Sequence, residues 1–299
     1  MSKKSKKNKQ EIFRTEMASF VMAFLNRYHG ETAELYKRYL NRYMNWALEN
    51  DVDPWRATRI DLETYAREML ESGFSPATIR TAMSPVRSIF KLAHADGMIE
   101  RNPGLLMWMP KVKRDPSGFK WLDRVELSRW IKIGSTLTPR HHAVAVLAGV
   151  LALRASEIAN LDVNSWRNFQ DGHQVLKFVG KGGKPATIPL DVPVLRALAA
   201  VAGDRTAGPL IPQKNGGYIS RHGITSLVHT ICRHAGTKLL TPHALRRSCI
   251  TAALDMGISV RDVKALARHV NVETTMLYDR NGFSLDRHAA HSLSSWLAA

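Results

Sequence analysis

Residues 143–158 read AVAVLAGVLALRASEI. The apolar run 143–153 is the longest in the chain, yet a bilayer span needs roughly 18 or more such residues. It reads instead as a helix buried in the core of a sizeable domain. The run stops at Arg154. An arginine at the end of a buried helix is costly to bury unless it is paired or aimed at an anion. A snorkelling or glutamate-paired arginine is the structural alternative.

Around this run the second half of the chain is mixed. Helices are expected at 123–134, 140–151, 155–160, 191–202, 220–235, 243–256 and 259–267. Val175–Val179 and Ala186–Leu190 are strand candidates joined by Gly180-Lys181-Gly182-Gly183-Lys184, which makes a β-hairpin with lysines at its tip. The first half is helical throughout. Leu35, Tyr39, Leu40, Tyr43, Trp46 and Ala47 recur at helical spacing. Thr58 with Asp61 is a capping box for a second helix. Ser75 followed by Pro76 opens a third, and Pro85 is expected to kink or break it. The fold class is therefore mostly α with a small β-sheet. The expected organisation is a disordered basic tail at 1–11, a helical domain at 12–108, a linker at 109–120 and a mixed domain at 121–299.

The 299 residues hold 43 Lys+Arg against 26 Asp+Glu, a net charge of +17, and 44% are hydrophobic. That hydrophobic fraction excludes a wholly disordered basic protein. The charge points to nucleic acid more than to a membrane surface, because it is spread along the chain rather than gathered on one amphipathic helix. No signal-peptide core follows the lysine-rich start. Cys232 and Cys249 are too few for a disulfide framework or a four-ligand zinc site, which suits a cytoplasmic protein of a bacterial host.

Three more stretches carry chemistry. The Gly-Lys turn at 180–184 can offer backbone N–H groups to phosphate, but it lacks P-loop spacing and no helix follows it. Thr241-Pro242-His243-Ala244-Leu245-Arg246 starts a helix with His243 and Arg246 on one face, where N–H groups and the dipole favour an anion. Ala267-Arg268-His269 precedes Tyr278 by a short segment ending Tyr278-Asp279-Arg280. Singly, each has an ordinary structural reading: an exposed turn, a polar helix face, a core tyrosine.

In that order, however, the residues resemble the tyrosine recombinase (phage integrase) family. Arg154, Lys181, the His243-x-x-Arg246 pair, His269 and Tyr278 match the family's catalytic set, with Lys184 as the fallback for Lys181. Asp96–Pro103 resembles the end of its core-binding domain, and Trp121–Leu127 its catalytic-domain opening. Arg268 departs from the usual Leu-Gly-His by adding a charge beside the site. The resemblance implies an all-helical core-binding (SAM-like) domain followed by an α+β catalytic domain.

It also implies DNA cleavage through a 3′-phosphotyrosine link, with Tyr278 as nucleophile. Arg154 and Arg246 would hold the non-bridging oxygens, Lys181 would act as general acid, His243 as base, and His269 as phosphate donor. No metal or cofactor is implied. The partners would be double-stranded DNA with core-type sites, a homotetramer on two duplexes joined through a Holliday junction, and an accessory directionality factor. Phe283, Leu285, Leu293, Trp296 and Leu297 would form a terminal helix that docks on a neighbouring protomer or on its own domain. The Tyr278-Asp279-Arg280 ending leans toward integration of a phage or mobile element, in the compact form without an arm-binding domain. Xer-type dimer resolution, a type IB topoisomerase and a catalytically silent DNA-binding regulator are the alternatives.

Overall fold

The computed structural model describes residues 18–112, 121–180, 182–279 and 289–298. The tail at 1–11, Lys181, Arg280, Phe283 and Leu285 lie outside the described residues. The chain divides into two compact units, Met1–Asp115 and Pro116–Ala299.

The first unit is helical: α1 over 18–25, α2 (Gly30–Glu49), α3 (Arg59–Glu71) and α4 (Pro76–Ala95). Local chemistry sets its helix starts. The Thr58 N–H donates to Asp61 Oδ2 at 2.7 Å while the Thr58 hydroxyl caps the Asp61 N–H. Ser75 Oγ accepts the Thr78 N–H at 3.1 Å, ahead of Pro76. Leu40, Tyr43 and Ala47 of α2 pack with Leu62, Tyr65 and Met69 of α3 and with Ile79, Met83, Val86 and Phe90 of α4. Buried in this core, the Tyr43 hydroxyl donates to the Pro54 carbonyl at 2.8 Å. Pro85 does not break α4, which runs on to Ala95. Its ring lies buried on the packed face, so core contacts offset the ladder bond that a proline forfeits.

The second unit is built around α6 (Pro139–Gly149), in which every residue from Ala143 to Gly149 is buried. Helices α5 (Arg124–Leu137), α8 (Val192–Ala202), α9 (Arg221–Ala235) and α10 (Pro242–Asp255) pack around it. A helix apolar on all sides has to be enclosed in this way. It ends two residues before the expected 151, because Ala152 turns left-handed with φ 51°. That turn buries Leu153 and delivers Arg154 to the start of α7 (Ala155–Ala159).

The hairpin is present, as β2 (His173–Val179) and β3 (Pro185–Pro189), with Leu176 opposite Ile188. The sequence did not suggest β1 (Asn168–Gln170), which adds an antiparallel edge to give the order β1-β2-β3. Gly182 and Gly183 both take left-handed backbone, φ 78° and 76°, and the Gly180 N–H donates to the Lys184 carbonyl at 2.7 Å. Among the described residues, this is the one turn in which two successive glycines take left-handed backbone. The unit continues through α11 (Val260–Ala267), α12 (Val272–Met276) and α13 (Ala289–Leu297). The Leu122 N–H donates to the buried Ser248 hydroxyl at 2.8 Å, tying the start of this unit to α10. Trp296 and Leu297 of α13 are exposed. Among the described residues no helix is long and apolar enough to cross a membrane.

Gly134 of α5 packs directly against Ala145 of α6. A Cβ there would sit 2.6 Å from Ala145 Cβ. Glycine to alanine inside a helix ordinarily gains up to about 1 kcal/mol from propensity. Overpacking costs about 1–3 kcal/mol and outweighs it here. Gly134→Ala is therefore expected to lower the thermal midpoint, read by circular dichroism; an unchanged or raised midpoint would contradict this packing.

Candidate active site

Four chain reversals in the second unit carry the site. The turn after α6 presents Arg154. The N-terminus of α10 presents His243 and Arg246. The end of α11 presents Arg268 and His269, and the end of α12 presents Tyr278.

Arg154 caps α7. Its N–H donates to Glu157 Oε2 at 2.8 Å and its Nη1 to Glu157 Oε1 at 2.7 Å. The glutamate-paired reading is thus correct, but it does not retire the arginine, whose side chain stays 29% exposed. Arg154 lines two adjacent cavities. One, of about 320 Å³, also meets His243, Arg246, Arg221 and His222. The other, of about 750 Å³, runs past Glu157, Gly180, Lys184, Arg268 and His269.

Thr241 Oγ1 accepts the Ala244 N–H at 3.2 Å and Pro242 follows it, so α10 starts where the sequence places it. One turn on, Arg246 is only 2% exposed. Its Nη1 donates to the Ala152 carbonyl and its Nη2 to the Ala267 carbonyl. Burial, with Arg154 and Arg268 nearby, pulls its pKa down to about 10, which leaves it charged at neutral pH.

Arg268 closes α11 as a left-handed cap, φ 52°. That backbone is the one glycine adopts most freely, which accounts for glycine being usual there in the family. The arginine accepts the conformation and folds back into the site. Its Nη2 donates to Glu157 Oε2 and to the Ala152 carbonyl, both at 3.0 Å, and its Nη1 to the Leu266 carbonyl at 2.7 Å. The guanidinium also lies over Phe178 of β2, 5.3 Å from the ring centre.

Glu157 is almost wholly buried between these two arginines. Burial pushes its carboxyl up, but the Arg154 N–H and the charges of Arg268 and Arg154 together hold it below the ordinary range. It is therefore a fixed anion.

His269 Nδ1 lies 2.9 Å from Thr275 Oγ1, and its ring stacks on Tyr278 with centres 5.8 Å apart. A Thr275 hydroxyl donating to Nδ1 leaves the imidazole proton on Nε2, available to an anion. Loss of solvent, then Arg246, Arg154, Arg268 and His243, lower the His269 pKa to about 4. Loss of solvent, then Arg247, Arg246 and Arg154, push His243 down too. Both imidazoles are neutral at pH 7. Tyr278 packs on the α10–α11 cluster of Cys249, Ile250 and Val263. The Arg247 guanidinium lies 5.4 Å from its ring centre.

The fold thus gathers Arg154, His243, Arg246, His269 and Tyr278 in one region. Lys181 lies outside the described residues, while Lys184, its fallback, lines the larger cavity. Sequence reasoning weighed a glutamate partner for Arg154 only as a structural alternative, missed Arg247 and Thr275, and read Arg268 as an intruding charge. Glu157 carried a signal in its place three residues after Arg154; Thr275 carried none. Two fixed guanidiniums beside two neutral imidazoles and a phenol can bind an oxyanion, and can pass a proton without a permanently charged base.

The profile described as "Phage integrase family" matches residues 120–284, and "Phage integrase, N-terminal SAM-like domain" matches 24–97. The chain is 27% identical to tyrosine recombinase XerD of Oceanobacillus iheyensis, over 83% of this chain and 86% of that protein. It is 28% identical to tyrosine recombinase XerC of Bacillus subtilis, over 73% and 75%. Its fold is similar to that of a lambda integrase dimer bound to a COC′ core site, with TM-score 0.69, 17% identity, and 91% and 98% coverage. It is also similar to the Tn1549 transposon integrase in complex with transposon right end DNA, with TM-score 0.68, 17% identity, and 93% and 99% coverage.

The depressed His269 pKa has a sign that can be measured. The unfolded chain takes up this proton near pH 6.5, and the folded chain only near 4. Between those values the unfolded state binds more protons, so the stabilisation is complete above about pH 6.5 and is lost as pH falls toward 4. Thermal midpoints measured from pH 7.5 to 4.5 are expected to fall less in His269→Gln than in wild type. Parallel curves would show that His269 is not held neutral.

Proposed function

The chain belongs to the phage integrase family, and from that premise we propose that it cuts and rejoins double-stranded DNA at defined sites. The observation that carries this is the convergence of Arg154, His243, Arg246 and His269 along adjoining cavities of the second unit, with the Tyr278 ring stacked on His269. Tyr278 attacks the scissile phosphorus and its phenolic proton passes to His243. Arg154 and Arg246 take the charge that grows on the non-bridging oxygens, and His269 Nε2–H adds a hydrogen bond. The P–O5′ bond breaks as Lys181 protonates the leaving oxygen. The products are a 3′-phosphotyrosine link and a free 5′-hydroxyl.

Phosphodiester energy is kept in that link, so a partner strand's 5′-hydroxyl reverses the step without ATP. Two such exchanges through a Holliday junction need four active sites, hence a homotetramer on two duplexes. The exposed Trp296 and Leu297 of α13 suit docking on a neighbouring protomer. Integration or excision of a phage or mobile element, with an accessory directionality factor, is the first reading. The Xer names of the sequence relatives favour a second, the resolution of chromosome or plasmid dimers. Recombination of short minimal sites, compared as integrating and as dimer-resolving pairs, separates the two.

A nicked suicide substrate tests the chemistry. Wild type is expected to trap a covalent protein–DNA adduct on denaturing gels, and Tyr278→Phe none; an adduct from Tyr278→Phe would exclude Tyr278 as nucleophile. Arg154→Ala is expected to slow cleavage by about 10²–10³-fold, the usual loss for one oxyanion-holding group, while leaving most DNA binding. Unfolding of that variant would instead point to a purely structural arginine.

A further inference from the structure

Arg154, Arg246 and Arg268 gather around the buried carboxylate of Glu157, and two of them share it. Glu157 Oε1 takes Arg154, while Oε2 takes both Arg268 and the Arg154 N–H. A carboxylate and a guanidinium left to themselves favour a two-pronged pair. Such a pair would commit both prongs of Arg154 to Glu157 and cancel its charge toward an anion. Arg268 occupies the second prong. It is anchored for this by the Ala152 and Leu266 carbonyls and by the face of Phe178. Its side chain is 14% exposed and that of Glu157 2% exposed, so water competes little with the pairing. Arg268 also shares the Ala152 carbonyl with Arg246, so one guanidinium touches the partners of both other arginines.

We propose that Arg268 is a positioning residue: it holds Glu157 in a one-pronged contact with Arg154 and thereby keeps Arg154 turned toward the scissile phosphate. Glu157 consumes one positive charge, and Arg268 supplies the one that replaces it. The residue that departs from the family pattern therefore belongs to the working site of this chain. This inference rests on the recombinase reading for its consequence, and on the geometry alone for the contact.

Arg268→Gly is the direct test, because glycine accepts the left-handed backbone and the fold is kept. Arg268→Lys retains the charge with a single-pronged donor. Single-turnover cleavage of the nicked substrate is expected to fall at least tenfold in Arg268→Gly, with DNA affinity within about twofold of wild type. Arg268→Lys should recover most of the rate. Cleavage by Arg268→Gly within twofold of wild type would overturn the proposal, as would a lysine variant no better than the glycine one.

A second readout needs no activity. In the free protein, the Arg154 guanidinium ¹⁵N–¹H signals are expected to shift and their rotation to slow in Arg268→Gly as the pair becomes two-pronged. Unchanged Arg154 signals would refute the contact. If wild type traps no adduct at all, the recombinase reading fails, and the Arg268 contact is judged on those signals.

Discussion

A guanidinium taken out of water must find acceptors to replace it, and Arg246 is taken out almost completely. The acceptors it finds are the Ala152 and Ala267 carbonyls. Ala267 is the last residue of α11, where carbonyls have no partner in the ladder and the dipole is negative, and Ala152 lies in the left-handed turn three residues past the end of α6. Those two loops carry Arg154 on one side and Arg268 and His269 on the other. A single buried charge therefore rivets together the segments that hold the rest of the site. The left-handed turn at Ala152 serves the same end, since it aims the carbonyl inward and Arg154 outward.

The electrostatics follow from this crowding. Three arginines in one region would repel one another without Glu157, and Glu157 could not stay ionised in the interior without them. Their mutual dependence also sets the histidines. Loss of solvent first, and then so much positive charge, make a protonated imidazole unfavourable, and His269 is held neutral well below its ordinary pKa.

What was legible in the sequence was local. The box at Thr58–Asp61 and the caps at Ser75 and Thr241 each lie within one helical turn, and each closed as the residues suggested. The apolar run that forms most of α6 announced the core of the second unit. The strand β1 was missed because three residues give no alternation to read. The break weighed at Pro85 did not occur, because the packing of its ring offsets the lost ladder bond. Arg268 was read as a disturbance because its partner, Glu157, lies 111 residues away in the chain. Pairings across that distance leave no local pattern, whereas the order of the site residues did.

Thr275 is the buried residue of the short helix α12, and its hydroxyl meets His269 Nδ1 three residues before Tyr278. One contact therefore ties two things together: the orientation of the His269 ring and the seating of the segment that bears the phenol. A segment withdrawn from its place would also take away the group that holds the imidazole, so the two rings are set together or not at all.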